Sequence, residues 1–132
     1  MAKITIRRYD EARDSEAMFV MMRAEGDWGD CCDGAAAEAK YKAALKDSVT
    51  YTLYNGDTCC GHIRVRDDFG FGTYIHDLLV GKAYRGNGYG KMMIDQVCKD
   101  FDGVVYVMSD ADPYYNKIGL NEIEGRIIIV KK

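Results

Sequence analysis

Alternating apolar and polar residues open the chain and predict a short strand. Isoleucines stand at positions 4 and 6 of the segment 3–8, with polar residues between them. This period of two is typical of a half-buried strand. Polar residues at 10–14 then begin a helix, for which Asp14 or Ser15 is the expected cap. Methionines at positions 18, 21 and 22 follow at helical spacing, and we interpret them as core residues.

The middle of the chain predicts a second helix and then three antiparallel strands. Alanine and lysine dominate residues 35–46, and both favour a helix. Residues 49–54 alternate as a strand, a hairpin turn follows at Asn55-Gly56-Asp57, and residues 58–65 return as the next strand. After another turn comes Thr73–Val80, a dense apolar run that is typical of a strand covered on both faces.

The last third predicts a long helix, a buried strand, a short helix and a final strand. Apolar residues of the segment Tyr89–Phe101 recur on one helical face. Residues 104–108 form the buried strand, and the short helix starts near Pro113 and stops at Gly119. Residues 124–130, with three consecutive isoleucines and a valine, predict the last strand. This order of elements indicates an α/β (α+β) fold.

Length, composition and charge narrow the class of protein. A chain of 132 residues is large enough to bury a real core, and we expect residues 1–132 to form a single domain. The net charge of −3 argues against nucleic-acid binding, which usually needs a basic face. No apolar run approaches the length of a membrane span, and the N-terminal MAKITIRRYD lacks the apolar stretch of a signal peptide. We therefore expect a cytoplasmic protein that does not bind a membrane.

Cysteine usage agrees with a reducing compartment. The five cysteines include two adjacent pairs but no C-x-x-C spacing. The sequence therefore suggests neither a metal site nor a thioredoxin-like redox site. Free thiols are the expected state.

A glycine-rich loop between the Thr73–Val80 strand and the next helix carries the strongest chemical signal. It reads Arg85-Gly86-Asn87-Gly88-Tyr89-Gly90. Three glycines let the backbone turn its N–H groups towards one point, and the helix adds its unsatisfied first-turn donors and the positive end of its dipole. Arg85 and Lys91 flank the loop with positive charge. A diphosphate is the expected ligand, although the spacing matches neither the dinucleotide fingerprint nor a Walker loop.

This loop resembles the signature of the GNAT superfamily, the acyl-CoA-dependent N-acetyltransferases. That signature is Gln or Arg, two residues, Gly, one residue, and Gly or Ala, and it runs here from Arg85 to Gly90. A second element is similar to the late motif of the same family, in which Ala111 precedes Tyr114-Tyr115 and Gly119-Leu120. The late motif follows a predicted strand, and the loop lies between a predicted strand and a helix, as the family requires.

The resemblance implies a fold and a site for acetyl-CoA as co-substrate. The fold would be a central mixed, mostly antiparallel sheet with helices on both faces, splayed between the fourth and fifth strands. The pantetheine arm would lie in that split and pair with the end of the fourth strand, and the pyrophosphate would bind backbone N–H groups of the loop. The implied cofactor-binding residues are Leu78, Leu79, Val80, Arg85, Gly86, Asn87, Gly88, Tyr89, Gly90 and Lys91.

The resemblance also implies a general acid. Tyr115 stands at the position of the family's catalytic tyrosine, which protonates the leaving thiolate of CoA. A phenol is a neutral donor that can deliver a proton as charge develops on sulfur. The neighbouring Tyr114 is expected to pack.

The general base is less directly indicated. Many relatives carry a glutamate on the fourth strand, at the position of Tyr74 in this chain. His76 stands two residues on, where the arylalkylamine branch has a histidine, and strand alternation would place it on the same face as Tyr74 and Leu78. The alternatives are His76 acting as the base, a chain of waters, or a core histidine without a catalytic role. Asp77 and His62 are interpreted as structural.

The acidic segment from Glu25 to Gly34 surrounds Trp28, the single tryptophan of the chain. One interpretation is a solvated loop in which Asp33 caps the next helix. The other is a wall of the acceptor site, where acidic groups and an aromatic face suit a cationic amine. The residues alone favour the first interpretation. The family resemblance strengthens the second, because the connection between the first two helices commonly lines the acceptor site in that family, and we assign Trp28, Asp27 and Tyr74 to substrate binding.

Four functions are compatible with the sequence. The first is acetyl transfer from acetyl-CoA to a small primary amine by direct attack, which the compact chain and the Trp28 segment favour. The second is acetylation of a protein N-terminus or lysine, which needs an open groove. The third is a CoA-binding sensor without turnover, which the missing strand glutamate permits. The weakest is a generic phosphate-binding module. The isoleucine-rich last strand could also serve as the edge of a homodimer.

Overall fold

The computed structural model describes residues 3–132 of the chain. These residues contain five strands and five α-helices. The bounds of the second long helix and the fourth strand are those that the sequence predicts. In chain order the elements are β1 (Ile4–Arg8), α1 (Glu11–Glu25), α2 (Gly29–Cys32), α3 (Ala35–Lys46), β2 (Val49–Asn55), β3 (Thr58–Asp67), β4 (Thr73–Val80), a 3-10 turn (Lys82–Tyr84), α4 (Tyr89–Asp100), β5 (Val105–Val107) and α5 (Asp112–Lys117).

The strands form one mixed sheet in the order β1-β2-β3-β4-β5. Neighbours pair antiparallel except β4 and β5, which are parallel. The β4–β5 pairing begins at Thr73↔Val105 and ends at Ile75↔Val107, whereas β4 continues to Val80. The two strands therefore separate beyond Ile75, and this confirms the predicted sheet that is splayed between its fourth and fifth strands.

Each face of the sheet carries its own core. The α1–α3 side buries the methionine stripe of α1 together with Phe19, Tyr41 and Leu79, which confirms the interpretation of that stripe as core. On the other side, α4 inserts Met93 and Val97 between the apolar side chains of β2, β3 and β4. The described helices, the longest of which has 15 residues, do not reach the length and apolarity of a membrane span.

Helix α1 begins one turn earlier than the expected cap. Asp10 is the N-cap and accepts a hydrogen bond from the N–H of Arg13 at 2.9 Å, so the prediction of Asp14 or Ser15 was wrong. Asp14 lies in the first turn of α1, and it is fully buried. Its carboxylate accepts hydrogen bonds from the Asp10 N–H, the Tyr54 hydroxyl and the Arg13 guanidinium. The sequence around a helix start shows that Asp14 is polar. It does not show that the Asp14 side chain contacts Tyr54 on a distant strand.

The acidic segment after α1 is partly helical. Residues Gly29–Cys32 form the single turn α2, where a loop was expected. Gly34 caps α3 without a side-chain hydrogen bond, so the prediction that Asp33 caps this helix was also wrong. The turn tightens the segment, and it holds Trp28 at the start of α2.

A bulge interrupts β4 at His76. Arg64 pairs with Asp77 and Val65 pairs with Ile75, which leaves His76 without a partner in the β3 register. An extra residue reverses the alternation of side chains beyond it. Ile75 before the bulge and Leu78 after it consequently face the same α4-side core. Tyr74 lies on the opposite face from Leu78, and the prediction that they share a face was wrong.

The predicted last strand, residues 124–130, does not form. These residues take no regular structure and their side chains are exposed. The Tyr106 hydroxyl of β5 donates a hydrogen bond to Glu124 Oε2 of this segment at 3.2 Å. High β-propensity describes what side chains prefer on a pleated surface, and it does not supply the neighbouring strand that pairing requires.

Candidate active site

The glycine-rich loop leads directly into the N-terminus of α4. Gly86 and Gly88 adopt left-handed backbone conformations with φ of 84° and 78°, which only glycine takes without strain. Gly88 is the N-cap and offers no side chain to the first turn. The N–H groups of Tyr89, Gly90 and Lys91 have no acceptor within residues 3–132. The local geometry is that of an anion site, because unsatisfied donors and the positive end of the helix dipole coincide.

The two charged residues that flank the loop already have partners. Lys91 forms a surface ion pair with Asp95 at 2.8 Å. Arg85 forms an ion pair with Glu25 of α1, and its Nε donates to the Val80 carbonyl at 3.1 Å. The side chain of Tyr89 points into the α4-side core, so only its backbone faces the loop. Asn87 donates to the Tyr84 carbonyl at 2.8 Å and shapes the turn.

The end of β4 presents one open edge next to this loop. Leu78, Leu79 and Val80 pair with Ile63, His62 and Gly61 of β3. On the side of β5 they have no strand partner among residues 3–132, since that pairing stops at Ile75. An extended amide chain could therefore pair with this edge as an added strand does.

The two tyrosines of α5 occupy different surroundings. Tyr115 packs against the α4-side core, and burial together with the neighbouring Tyr114 and Asp110 raises the pKa of its hydroxyl. Tyr114 lies over the first turn of α4: a Cβ placed on Gly90 would stand 2.0 Å from its hydroxyl oxygen. Tyr114 therefore packs, as expected, but against the first turn of α4 rather than in the core. The rings meet edge to face at 5.1 Å.

His76 is half-buried at the bulge, just past the last residue pair of β4 and β5. Burial lowers the pKa of its imidazole, Arg64 and Arg66 lower it further, and Asp77 opposes them. The neutral imidazole, which can accept a proton, is therefore favoured near neutral pH.

Two of the three predicted substrate-binding residues, Asp27 and Trp28, are adjacent in the chain, and the third, Tyr74, lies on β4. Trp28 is partly buried, with its ring against His62 at a centroid distance of 5.6 Å. Asp27 is exposed. Tyr74 stacks on Tyr106 of β5 at 5.3 Å. The rings of Trp28 and Tyr74 therefore pack against different partners.

A buried polar network lies beneath Trp28, and sequence reasoning missed its extent. The Tyr41 hydroxyl donates to Asp77 Oδ2 at 2.8 Å and lies 3.0 Å from His62 Nε2. Arg64 Nε donates to the same carboxylate oxygen at 2.5 Å. His62 and Asp77 thus act structurally, as expected, but no sequence signal pointed to Tyr41 as the side chain that joins them. Within residues 3–132, no group of three or more His, Cys, Asp or Glu side chains could hold a metal ion.

Comparison with known proteins identifies the family. The profile of the acetyltransferase (GNAT) family matches residues 9–119, most of the chain. The chain therefore belongs to this family of acyl-CoA-dependent N-acyltransferases. No curated protein sequence matches it significantly.

Solved structures share the fold across nearly the whole chain. A GNAT acetyltransferase from Streptococcus pneumoniae is 21% identical with a TM-score of 0.67, and the match covers 100% of both chains. An aminoglycoside acetyltransferase from an uncultured soil metagenomic sample is 18% identical with a TM-score of 0.73, over 98% of this chain and 99% of that one. An aminoglycoside N-acetyltransferase solved with CoA is 15% identical with a TM-score of 0.68, over 100% and 96%. At these identities the likeness concerns the fold.

Proposed function

We propose that the chain transfers an acetyl group from acetyl-CoA to a primary amine of a small molecule by direct attack. One observation carries the proposal: the open edge of β4 leads into the uncapped start of α4. Such a path suits an extended amide arm that ends in a diphosphate, which is the shape of CoA. Two of the similar structures are described as aminoglycoside acetyltransferases, and this supports a small amine as the acceptor.

The residues present fit acetyl-CoA. Among the described residues, 3–132, the first-turn N–H groups of α4 lack acceptors, and the β4 edge lacks a partner on its β5 side. When bound, acetyl-CoA supplies the acyl group as an activated thioester. We assign its binding to ten residues, several of them through the backbone: Leu78, Leu79, Val80, Arg85, Gly86, Asn87, Gly88, Tyr89, Gly90 and Lys91.

Tyr115 is our candidate for the general acid. A tyrosine phenol is protonated at neutral pH, as a proton donor requires, and the raised pKa of Tyr115 acts in the same direction. Its hydroxyl has no hydrogen-bond partner within residues 3–132 and is not fully enclosed, so it retains its donor capacity for a leaving thiolate.

His76 is our candidate for the general base. Its neutral imidazole can take the proton of an ammonium group, directly or through water. The bulge also frees backbone at His76 from the β3 register, and an N–H there can stabilise charge on the reacting carbonyl oxygen. A chain of waters is the alternative base.

We propose that Trp28, Asp27 and Tyr74 contribute to the acceptor site. Asp27 is exposed and Trp28 partly so, and a carboxylate with an aromatic face suits a cationic amine. We further propose that the chain works as one domain in the cytoplasm, without a resident metal. The free state of its five cysteines, all within the described residues, is consistent with a reducing compartment.

The test is acetyl-CoA turnover, followed by thiol release, with a panel of amines, aminoglycosides and peptides. Wild type should release CoA with at least one small amine. Tyr115→Phe should bind CoA normally and lose about 10²-fold or more in kcat, because only the proton donor is removed. Tyr114→Phe, one residue away, is the comparison for loss of a phenol in α5 and should retain kcat.

Other outcomes separate the alternatives. Release with peptides of fixed sequence and not with small amines would indicate a protein acetyltransferase. CoA binding without turnover on any acceptor would favour the sensor. If CoA does not bind at all, the interpretation of the loop and of the β4 edge is wrong.

A further inference from the structure

Glu25, the last residue of α1, is a buried carboxylate with no role in the chemistry described above. Its side chain is 4% exposed, whereas that of its partner Arg85 is 54% exposed. Glu25 Oε1 accepts from Arg85 Nη2, and Glu25 Oε2 accepts from the Lys82 N–H at 3.3 Å. A buried carboxylate is costly unless such partners hold it. This carboxylate therefore fixes the segment from Lys82 to Arg85 against the end of α1.

Arg85 is the first residue of the loop that we assign to the diphosphate. Its Nε and Nη2 are engaged by the Val80 carbonyl and by Glu25. A guanidinium has five N–H donors in a planar fork, so the group retains donors for a second anion on its exposed side. A diphosphate on the loop would share this guanidinium with Glu25.

On its C-terminal side, Glu25 is followed by residues 26–34. We call them the acceptor segment, because they contain Asp27 and Trp28 of the proposed acceptor site. Gly26 ends α1 in a left-handed conformation with φ of 87°. Trp28 follows three residues after Glu25, within at most about 11 Å of extended chain. Only a short backbone link therefore separates the Glu25 carboxylate from the aromatic ring that lies on His62.

We propose that Glu25 is a positioning residue that couples the CoA loop to the acceptor segment 26–34. It acts through Arg85 on one side and through the end of α1 on the other. This inference rests on the proposed CoA site, because it needs an anion at the loop. Its consequence is that CoA binding changes the surroundings of Trp28, and that the change depends on the Glu25 carboxylate.

Trp28 is the single tryptophan of the chain, so its fluorescence reports the acceptor segment directly. CoA is titrated into wild type and Glu25→Gln, with affinity measured by calorimetry and Trp28 emission recorded at saturation. Wild-type emission should change on binding. Glu25→Gln should bind CoA about tenfold more weakly, since it loses a charge-assisted hydrogen bond, and its emission should stay unchanged even when saturated.

Glu38→Gln is the matched control. Glu38 also pairs with an arginine, Arg23 of α1, at 2.5 Å, but this pair joins α1 to α3 away from the loop. Glu38→Gln should keep the wild-type affinity for CoA and the wild-type change in Trp28 emission. Arg85→Gln breaks the same ion pair and should also abolish the Trp28 emission change at saturating CoA, so the test stands if Glu25→Gln does not fold. Emission is the readout for this variant, because Arg85 is also assigned to the diphosphate and its loss weakens binding in any case. In the double variant, Glu25→Gln with Arg85→Gln, the two losses should be far from additive.

Wild-type affinity and a wild-type emission change in Glu25→Gln would overturn the coupling. A wild-type protein that binds CoA with constant Trp28 emission would overturn it as well, and would leave the proposed function intact. Absence of CoA binding in wild type would instead overturn the proposed function, together with the inference that rests on it.

Discussion

At the scale of single residues, the two histidines of the chain differ in what surrounds them. His62 is fully buried, and burial lowers its pKa to about 4. The Tyr41 hydroxyl donates to Asp77, so the His62 nitrogen beside it carries the hydrogen. His62 Nδ1 is then unprotonated and, within residues 3–132, has no partner. His76 is half-buried at the bulge, and it is the histidine that solvent or a substrate reaches.

This difference predicts the pH dependence of the reaction. A base must be neutral, so kcat/KM should be retained above the pKa of His76 and fall as pH drops through it. That pKa lies below its ordinary value because of burial and the two arginines. His76→Gln should remove this acid limb and lower kcat/KM at neutral pH by about 10²-fold or more. The measurement is kcat/KM between roughly pH 5 and pH 8 at saturating acetyl-CoA.

The acceptor amine also takes up a proton as pH falls. A comparison of variants must therefore show whether the loss of kcat/KM at low pH comes from His76 or from the amine. His62 is the other histidine, and its pKa of about 4 places its titration below the range of the experiment. If kcat/KM of His76→Gln falls at the same pH as that of wild type, the amine or a chain of waters accounts for the fall. His76 would then have no part in the mechanism.

At the scale of elements, α5 contacts the first turn of α4 through the Tyr114 side chain, whose hydroxyl lies where a side chain on Gly90 would begin. A Cβ on Gly90 would stand 2.0 Å from the Tyr114 hydroxyl oxygen and 3.1 Å from Cζ of the same ring. Glycine at this position is thus needed for a close contact and not for an unusual backbone angle. The last residue of the loop signature consequently has a packing role in this chain.

Gly90→Ala should destabilise the protein by about 1 kcal/mol, because the new methyl group displaces the Tyr114 hydroxyl from the first turn of α4. In the background of Tyr114→Phe, where the atom at 2.0 Å is absent, the same substitution should cost little. The measurement is thermal or denaturant unfolding of the four proteins in the cycle. Equal destabilisation in both backgrounds would show that the Tyr114 hydroxyl does not limit Gly90.

At the scale of the whole molecule, the C-terminal segment leaves apolar surface uncovered. Ile127, Ile128, Ile129 and Val130 are between 68% and 95% exposed. At the same time β5, one of the two edge strands of the sheet, has no partner on its outer side within residues 3–132. Contiguous exposed apolar side chains and an open strand edge are both typical of interaction surfaces.

We expect two copies to associate, with the isoleucine segment of one copy on the β5 edge of the other. Sedimentation of wild type should show a concentration-dependent dimer, and Ile128→Lys should shift it to the monomer without loss of the folded core. Glu122→Lys, a substitution in the exposed segment before the isoleucines, is the control and should remain dimeric. A wild-type protein that stays monomeric at all concentrations would contradict this expectation.

The sequence by itself determined the features that depend on neighbouring residues. The limits of α3 and β4, the glycine loop before α4 and the short helix at Pro113 follow from propensity, turn chemistry and period, which act over a few positions. The spacing of the two motifs was sufficient for the family, which the profile match over residues 9–119 confirms. The catalytic roles of Tyr115 and His76 stay predictions.

The tertiary structure decided the features that join distant parts of the chain. The bulge at His76 depends on the register with β3, and it reverses the face of every later side chain in β4. The Glu25–Arg85 pair spans 60 positions and the Asp14–Tyr54 bond spans 40. The segment 124–130 has the composition of a strand but no neighbouring strand. Local pattern specifies which conformation a segment prefers, whereas pairing and burial depend on which partner the fold brings within reach.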